Sequence, residues 1–465
     1  MQSRRDQVQA QSYVLGRLTA ALVMAEPEAV ENPHRRILVG TVAGALVAAL
    51  AVAGCAVFGF LRPGGASSWR APGTVVVEKE TGSRYVLVNG ALRPILNYTS
   101  AVLLFGKRPA MVAVSAASLR SVPRGVPVGI VGAPDALPGP AGLDGVAWTV
   151  CAVASRDQAG TLFTATTLAA DRAPAGRPLD DDHAIAVRAP GGQTFLIWRG
   201  RRFQFTRNWL VRAFGYDATP VTVEASWLEQ LPVGSDIAPM SVPQRGTAGP
   251  AVDGRATRIG QLFVAHVVGT AERYYLLQRD GLSQLSATGV AVMSSDPETA
   301  QAYGSGPVEP TELTAAALSA LPTSTQPAMP ADLPDRPPAS ASTGSDHVWC
   351  TRRAGSGGQV QVTAEPLPIG LRQPRGGVGI SRTAQTAAAV VMAPGVGGLV
   401  RLGRAGQLNG STYFLVTDAG VKYPLADASV AGILGYPLEH AATVPSALLA
   451  LLPTGPVLDP NQAGT

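Results

Sequence analysis

The run Ile37 to Leu61, ILVGTVAGALVAALAVAGCAVFGFL, contains twenty-five residues and no charged side chain. A helix rises about 1.5 Å per residue, so this run is longer than the roughly 30 Å hydrocarbon core of a membrane requires. No other stretch of the chain approaches this length. The sequence therefore predicts a single transmembrane helix at 37–61.

Two other interpretations of the run are weaker. A cleaved signal peptide has a short basic start and an apolar core of about 7–15 residues, whereas thirty-six residues precede this longer run. Val52 to Cys55 also matches the processing site of a lipoprotein, in which Cys55 becomes the lipidated N-terminus. The sequence stays apolar from Ala56 to Leu61, as in a spanning helix, so a membrane anchor is the favoured interpretation.

The flanking charges do not orient this helix, because Lys and Arg are nearly balanced on its two sides. The cysteines are more informative. Cys55 lies inside the run, which leaves Cys151 and Cys350, each close to a Trp in a strand-like setting. They are either a disulfide, which persists in an oxidising compartment, or two buried free thiols. The first alternative places residues 1–36 in the cytoplasm and the bulk of the chain in the periplasm.

Composition and charge exclude some classes of protein. The 465 residues are 46% hydrophobic and 15% charged, with 52 Gly and 38 Pro, which is typical of a folded domain with many turns. The net charge is +5 without a basic cluster, so nothing favours nucleic acid as a partner. Before the membrane run, Arg4 to Ala25 has apolar residues at helical spacing. This pattern predicts an amphipathic cytoplasmic helix that lies on the membrane surface or docks on a partner.

The downstream sequence repeats itself four times. Units that begin at Tyr85, Phe195 and Tyr413 share a turn glycine, a second glycine 16, 15 and 15 residues later, and a glycine after Pro 35, 34 and 35 residues later. A unit at Tyr275 carries an insertion of eight residues and lacks the middle glycine. The predicted turn glycines are Gly90, Gly200, Gly281 and Gly420, and the predicted helix-cap glycines are Gly106, Gly215 and Gly435.

The residue types indicate the structure of each unit. A β-branched and aromatic run enters a tight hairpin at Asn89-Gly90 or Asp280-Gly281, where Gly tolerates positive φ. A helix then ends at the middle glycine, and a second helix ends before Pro. Each unit is predicted to be hairpin, helix, strand and helix, and the sequence between the units, with both Cys strands and residues 260–268, is predicted to form a central β domain.

No reactive constellation is found in the sequence. There is no G-x-x-x-x-G-K-[ST] phosphate loop and no G-x-S-x-G nucleophile motif, and the five His are scattered. The Gly-rich stretch from Gly395 to Gly398 predicts a turn. Asp180 to His183 has ligand potential for a hard cation, but a solvated loop is the favoured interpretation. We therefore expect no catalytic residues, no cofactor and no metal site.

These features together resemble the EccB family, the single-pass core component of type VII (ESX) secretion systems. The resemblance rests on the opening RDQVQAQSYVL from Arg5, the membrane helix near residue 50, the Y-x-L-V-x-x-G-x-x-x-P repeats and the separated Cys151 and Cys350. It implies a periplasmic domain of four repeats around a central β domain, with the two Cys bonded. It also implies a complex with EccC, EccD, EccE and a mycosin protease, in which EccC supplies the energy.

The predicted fold class is α+β, with one transmembrane helix and a periplasmic ectodomain of four hairpin-plus-helix repeats around a central β domain. The predicted domains are 1–36 cytoplasmic, 37–61 transmembrane, 62–73 linker, 74–130 repeat one, 131–183 central, 184–238 repeat two, 239–268 central, 269–322 repeat three, 323–345 Pro-rich loop, 346–405 central, 406–461 repeat four and 462–465 tail.

The predicted function is a non-enzymatic scaffold that oligomerises in the periplasm and supports protein export. Some members of the family carry an ATPase label, but no phosphate loop is present in this sequence. The alternatives are a module that binds cell wall (peptidoglycan), since repeats supply repeated ligand surfaces, and a nucleotide hydrolase.

Overall fold

The structure is a computed structural model. It describes residues 3–25, 33–61, 67–157, 159–216, 220–266, 271–326, 329–355, 358–366, 376–403 and 412–464. The chain divides into two compact units. The first comprises residues 1–92 and 111–124, and the second, called the main unit below, comprises residues 93–110 and 125–465.

The secondary-structure elements are numbered in chain order. The helices are α1 (Arg4–Met24), α2 (Pro33–Leu61), α3 (Tyr98–Phe105), α4 (Ala116–Leu119), α5 (Trp209–Ala213), α6 (Ala225–Leu228), α7 (Ala287–Ser295), α8 (Ala315–Ala320), α9 (Ser429–Leu434) and α10 (Ser446–Ala450). The strands up to the middle of the chain are β1 (Thr74–Glu78), β2 (Arg84–Val88), β3 (Ala91–Pro94), β4 (Ala110–Val114), β5 (Ala147–Arg156), β6 (Leu162–Asp171), β7 (Arg177–Pro178), β8 (His183–Arg188), β9 (Thr194–Trp198), β10 (Arg201–Gln204) and β11 (Val221–Thr222). The later strands are β12 (Leu262–Ala265), β13 (Arg273–Gln278), β14 (Gly281–Leu285), β15 (Thr311–Glu312), β16 (Ala339–Ser340), β17 (His347–Ala354), β18 (Val360–Pro366), β19 (Ala389–Met392), β20 (Gly398–Leu402), β21 (Tyr413–Val416), β22 (Lys422–Pro424) and β23 (Ala442–Val444).

The two longest helices come first. A capping box starts α1, in which the backbone N–H of Ser3 donates to the carboxylate of Asp6. Helix α2 contains an apolar stretch, Ile37–Phe58, that is long enough to cross a membrane, and its described side chains are exposed. An exposed apolar helix of this length suits a lipid surrounding better than water. The helix at 37–61 thus exists as predicted, with an additional turn at its N-terminus.

Each repeat builds a small four-stranded sheet. The strand orders are β3-β2-β1-β4, β10-β9-β8-β11, β14-β13-β12-β15 and β22-β21-β20-β23. In repeats two, three and four the first strand pairs in parallel with the strand that follows the first helix. A repeat is therefore strand, hairpin, helix, strand and helix, with one strand more at its start than the sequence pattern indicated.

The central domain is a six-stranded sheet with the order β19-β6-β5-β17-β18-β7. Its two middle strands, β5 and β17, run antiparallel, and Cys151 lies directly opposite Cys350. The two residues form a disulfide with a Cα–Cα distance of 4.0 Å. The predicted α+β class, with four repeats and a central sheet, is therefore what the structure shows.

The second helices of repeats two and four cover the central sheet. Trp227 in α6 and Leu448 in α10 are buried in one apolar core with Trp148 and Val150 of β5. The indole N–H of Trp227 donates to the backbone oxygen of Val150 at 3.1 Å. A buried indole N–H needs such a partner, so this bond fixes how the helix lies on the sheet.

The two halves of the main unit contribute similar hairpins to the central sheet. Each half contributes a hairpin to the central sheet, β5–β6 and β17–β18, followed by one further strand, β7 or β19. The third strands are exchanged between the halves, because β19 pairs with β6 and β7 pairs with β18. The two outer pairs differ in direction: β19 runs parallel to β6, whereas β7 runs antiparallel to β18.

Some predicted boundaries are wrong. The predicted boundaries place β12 in the central domain with residues 239–268, and they place β20 there with residues 346–405. The structure pairs β12 with β13 and β20 with β21, so they are the first strands of repeats three and four. The error arises because a first strand meets its partners only in the folded sheet and carries no local turn signal.

Parts of the predicted linker and of the predicted tail are also packed. Of the predicted linker 62–73, residues 62–66 lie outside the described residues, but Trp69 is buried in a core with Val76 and Tyr85. Ala463 of the predicted frayed tail is buried in the core of repeat four. In both places an apolar side chain anchors sequence that is otherwise rich in Gly, Pro or polar residues.

Removing the disulfide is expected to destabilise the protein strongly. The bond links residues 199 positions apart, and the chain-entropy model gives about 5 kcal/mol for such a loop as an upper figure. The double variant Cys151→Ala, Cys350→Ala should therefore lose a few kcal/mol in the free energy of unfolding, measured by denaturant titration. The control is Cys55→Ala, which changes the free thiol and should leave the midpoint in place. An unchanged midpoint in the double variant would contradict the prediction.

Candidate functional site

The predicted turn glycines occupy three kinds of position. Gly90 and Gly200 have φ of 76° and 67° and follow Asn89 and Arg199, which also have positive φ, as a type I′ hairpin turn requires. Gly420 has φ of 74° in the longer turn of repeat four. Gly281 was predicted in a turn, but it is the first residue of β14. A Cβ there would lie 2.1 Å from the backbone oxygen of Pro322, so close backbone approach explains this glycine.

The predicted cap glycines end the first helices of three repeats. Gly106 and Gly435 are left-handed C-caps of α3 and α9. Gly215 is also left-handed, but it lies one position after the cap residue Phe214 of α5. These helix ends direct the chain to the residue that follows each glycine.

Two Pro-containing segments link the repeats of the main unit, and we call them straps. The first strap is residues 134–140 and the second is residues 329–340. Helix α3 packs against α9, and α5 packs against α7. Each strap lies along one of these helix pairs.

The first strap binds both members of its pair. The backbone N–H of Tyr98, at the start of α3, donates to Asp135 at 2.9 Å, and the Thr99 hydroxyl donates to the backbone oxygen of Pro134. On the other side, the hydroxyl of Tyr436 donates to the backbone oxygen of Pro138 at 2.7 Å. Leu137 packs against the core of repeat four.

The second strap repeats these contacts. The backbone N–H of Thr288 in α7 donates to the backbone oxygen of Asp335, and the hydroxyl of Tyr216 donates to that of Pro338 at 2.9 Å. Leu333 is buried in the core of repeat two. Two interactions are added here, because Asp332 forms an ion pair with Arg201 and β16 extends the sheet of repeat two. The predicted Pro-rich surface loop is thus largely part of the fold.

The sequence has a Gly-Tyr pair at the end of the first helix in only two repeats, and the hydrogen bonds from these tyrosines to the straps explain the pair. Tyr216 and Tyr436 directly follow the cap glycines Gly215 and Gly435, and both tyrosines are buried. The corresponding residue of repeat one is Lys107. A buried phenol placed by a left-handed glycine is therefore the device that holds a strap. The two straps contain similar segments, Asp135-Ala-Leu-Pro138 and Asp332-Leu-Pro334. This similarity is the feature of the sequence from which the straps could have been predicted.

A groove lies between the second strap and the hairpin of repeat two. Its volume is about 760 Å³. Arg199 stacks on Trp198 and pairs with Asp181 at 3.0 Å, while Arg201 pairs with Asp332. The residues that line the groove include Asp181, Asp182, Trp198, Arg199, Arg201, Asp332, Asp335 and Arg336.

The acidic cluster shows no arrangement for a cation. Nδ1 of His183 lies 2.6 Å from Oδ1 of Asp180, and this hydrogen bond lowers the pKa of the exposed Asp180 carboxyl. Asp181 pairs with Arg199. Within the described ranges, no group of three or more His, Cys, Asp and Glu residues is placed to hold a metal ion.

Removing the hydroxyl of Tyr216 or Tyr436 should lower the free energy of unfolding, because a strap loses one of its hydrogen bonds. Tyr216→Phe or Tyr436→Phe leaves a backbone oxygen without its donor in a buried site, which costs about 1–2 kcal/mol. Thermal or denaturant unfolding of each variant should show this loss. Tyr413→Phe in repeat four is the control, because Tyr413 is half-buried and its side chain makes no hydrogen bond among the described residues. Equal stabilities of Tyr436→Phe and the control would contradict the assignment.

The same tyrosines predict an alkaline loss of stability. Burial raises the pKa of both hydroxyls above the ordinary value of 10.0. Because the folded-state pKa lies above the unfolded value, their contribution is complete below about pH 10 and is lost as the pH rises toward the folded pKa. The midpoint temperature of thermal unfolding should therefore fall more steeply between pH 9 and 12 in the parent protein than in the double variant Tyr216→Phe, Tyr436→Phe. Parallel curves would contradict this linkage.

Comparison with known proteins places the whole chain in one family. The family model described as "Type VII secretion system ESX-1, transport TM domain B", EccB, matches residues 1–465. The ESX-3 secretion system ATPase EccB3 of Mycolicibacterium smegmatis is 27% identical, over 99% of this chain and 90% of that protein. The ESX-1 secretion system ATPase EccB1 of Mycobacterium tuberculosis is also 27% identical, over 98% of this chain and 93% of that protein.

Solved structures share the fold. A chain of an intact ESX-5 inner membrane complex has a TM-score of 0.64 at 22% identity, covering 100% of this chain and 95% of that chain. A chain of the EccB3 dimer from the ESX-3 core complex has a TM-score of 0.64 at 24% identity, covering 84% of this chain and 99% of that chain. The full-length match to the family model confirms the resemblance found in the sequence, and the chain belongs to the EccB family of type VII secretion proteins.

Proposed function

We propose that this protein is a structural subunit of an ESX inner-membrane complex. The observation that carries the proposal is the joining of one apolar helix to a main unit braced by a disulfide and two straps. Helix α2 holds the chain in the inner membrane, α1 lies in the cytoplasm, and the β-rich part lies in the periplasm, where the Cys151–Cys350 bond persists. Relatives are found in an inner membrane complex and as a dimer, which supports self-association here.

The partners we propose are EccC-, EccD-, EccE- and mycosin-like subunits of the same complex. Helix α1 supplies a cytoplasmic contact, because Val8, Leu15, Leu18 and Leu22 are exposed along it. Apolar side chains on an exposed helix lose water when a partner covers them, so they favour docking over solvation. In this arrangement the periplasmic part frames the outer side of the export path.

Tagged full-length protein, extracted from its native membrane in mild detergent, should bring these subunits with it. Leu18→Asp places a charge on the exposed apolar row of α1 and should reduce their recovery at least tenfold by quantitative mass spectrometry. Ser12→Asp introduces the same charge at an exposed polar position of the same helix and should leave recovery near the parent level. Recovery of no secretion subunit with the parent protein would overturn the proposal.

We also propose that the chain itself does not hydrolyse ATP, although its relatives are named ATPases. The basic pair after Gly106 is the nearest sequence to a phosphate loop, but the N–H of Gly106 already donates to the backbone oxygen of Leu103 as a helix cap. The N–H of Gly395 in the Gly-rich turn donates to Asp418. These N–H groups are therefore committed to the fold, whereas a phosphate cradle needs free ones.

An ATPase assay of the purified full chain should show no turnover that depends on Lys107. Lys107→Ala is the test variant, and Lys79→Ala, which changes a lysine outside this segment, is the control. Turnover that survives stringent purification and falls only in Lys107→Ala would establish hydrolysis by this chain.

A second function, binding of cell-wall glycan, is favoured by the groove of repeat two. Trp198 and two Arg–Asp pairs provide an aromatic surface and planar hydrogen-bonding groups, which suit a hydroxyl-rich ligand. Sedimentation of the full-length protein with purified peptidoglycan tests this function, with Trp198→Ala as the variant that should remain in solution.

A further inference from the structure

The hairpin β5–β6 is longer than the sheet that contains it. Both strands have ten residues. Strand β17 pairs with β5 only over Ala147–Cys151, and β19 pairs with β6 only over Thr167–Ala170. The remaining part, residues 152–156 with 162–166, is a two-stranded arm of about 17 Å. An isolated two-stranded hairpin is marginally stable in water, so this arm needs an explanation.

The outer edge of the arm is open. At its base, the N–H of Thr166 donates to Glu224 at 2.7 Å and its backbone oxygen accepts the N–H of Ala388, so both groups of Thr166 point away from β5. Backbone groups alternate along a strand, so those of Leu162 and Thr164 point the same way. Among the described residues, no strand lies beside Leu162 and Thr164 on this side.

The edge also lacks the features that keep strands apart. From Thr161 to Thr166 the sequence is TLFTAT, without a charge or a proline. Leu162 is 63% exposed and Phe163 is 44% exposed. Natural edge strands are protected by Lys, Pro, bulges or shortness, and an unprotected apolar edge is a surface for strand pairing.

We propose that this edge pairs with the same edge of a second copy of the chain. The proposal rests on the self-association in the proposed function and assigns it a surface. With Phe163 on the twofold axis, Leu162 of each copy lies opposite Thr164 of the other, and the two pairs exchange four backbone hydrogen bonds. The two Phe163 side chains then meet on one face as an aromatic cross-strand pair.

The sequence of the edge fits a second copy better than an unrelated peptide. Antiparallel pairing of a strand with itself is an isologous contact, which closes as a dimer and leaves no open end. No charged side chain occurs in the paired segment, so the contact brings no like charges together. A peptide with charged residues would gain no complementary charge at this edge.

Cross-linking of the full-length protein in detergent or nanodiscs tests the register. In a Cys55→Ala background, Phe163→Cys places the two thiols opposite each other at a non-hydrogen-bonded position, where Cα atoms lie about 4.5 Å apart. Under mild oxidation, this variant should form a covalent dimer at least tenfold faster than the control Val233→Cys, which is 65% exposed elsewhere in the main unit. A rate equal to or below that of the control would overturn the proposal.

A proline variant tests the edge without using a thiol. Because the N–H of Thr164 points away from β5, Thr164→Pro keeps the β5–β6 ladder and removes the outward donor. It should weaken dimerisation at least tenfold by light scattering, with an unchanged circular dichroism spectrum and an intact Cys151–Cys350 bond. Dimerisation at the parent level would overturn the edge assignment, while a parent protein that is monomeric but still recovers the secretion subunits would overturn self-association and leave the membrane scaffold in place.

Discussion

The antiparallel pairing of β5 with β17 is the constraint on which the rest of the main unit depends. These strands are about 200 residues apart in the chain, so bringing them together costs loop-closure entropy before any contact is gained. The Cys151–Cys350 bond lies where the strands face each other, and it removes part of that entropy from the unfolded chain. Helices α6 and α10, which contain Trp227 and Leu448, pack on the sheet that this pair organises.

The straps extend the same constraint to the outer parts of the main unit. Packing of α3 on α9 brings together repeats one and four, which are far apart in sequence, and packing of α5 on α7 joins the consecutive repeats two and three. Each strap then binds both partners, through a helix N-terminus on one side and a buried tyrosine on the other. The four repeats are therefore not equivalent: two receive a strap through Tyr216 or Tyr436, and two provide the helices against which the straps are held.

The sequence predicted what is decided locally. The membrane helix follows from composition over one segment, and the hairpins at Asn89-Gly90 and Arg199-Gly200 follow from the backbone preferences of two residues. Strands β12 and β20 were misplaced, because a strand at the start of a repeat is identified by its partners, which come later in the chain. Gly281 was assigned to a turn for a similar reason, since its need for close approach to Pro322 arises only in the folded repeat. The straps of the candidate site were missed because Pro and Ala favour a loop wherever they occur, and only the position of Tyr216 and Tyr436 shows that these loops are held.

The sheet edges of the repeats are short or covered, whereas part of one edge in the central sheet is open. In repeats two, three and four, one edge strand has two or three residues, and the opposite edge is bridged by the returning chain, as in the pairs Arg202–Val233 and Leu282–Thr323. Such short and covered edges do not recruit other strands. Strand β6 differs, because the four residues of β19 cover less than half of its ten. A subunit that has to assemble without aggregating needs an edge that is open over a limited length, and the edge of the arm at Leu162 to Thr164 has this property.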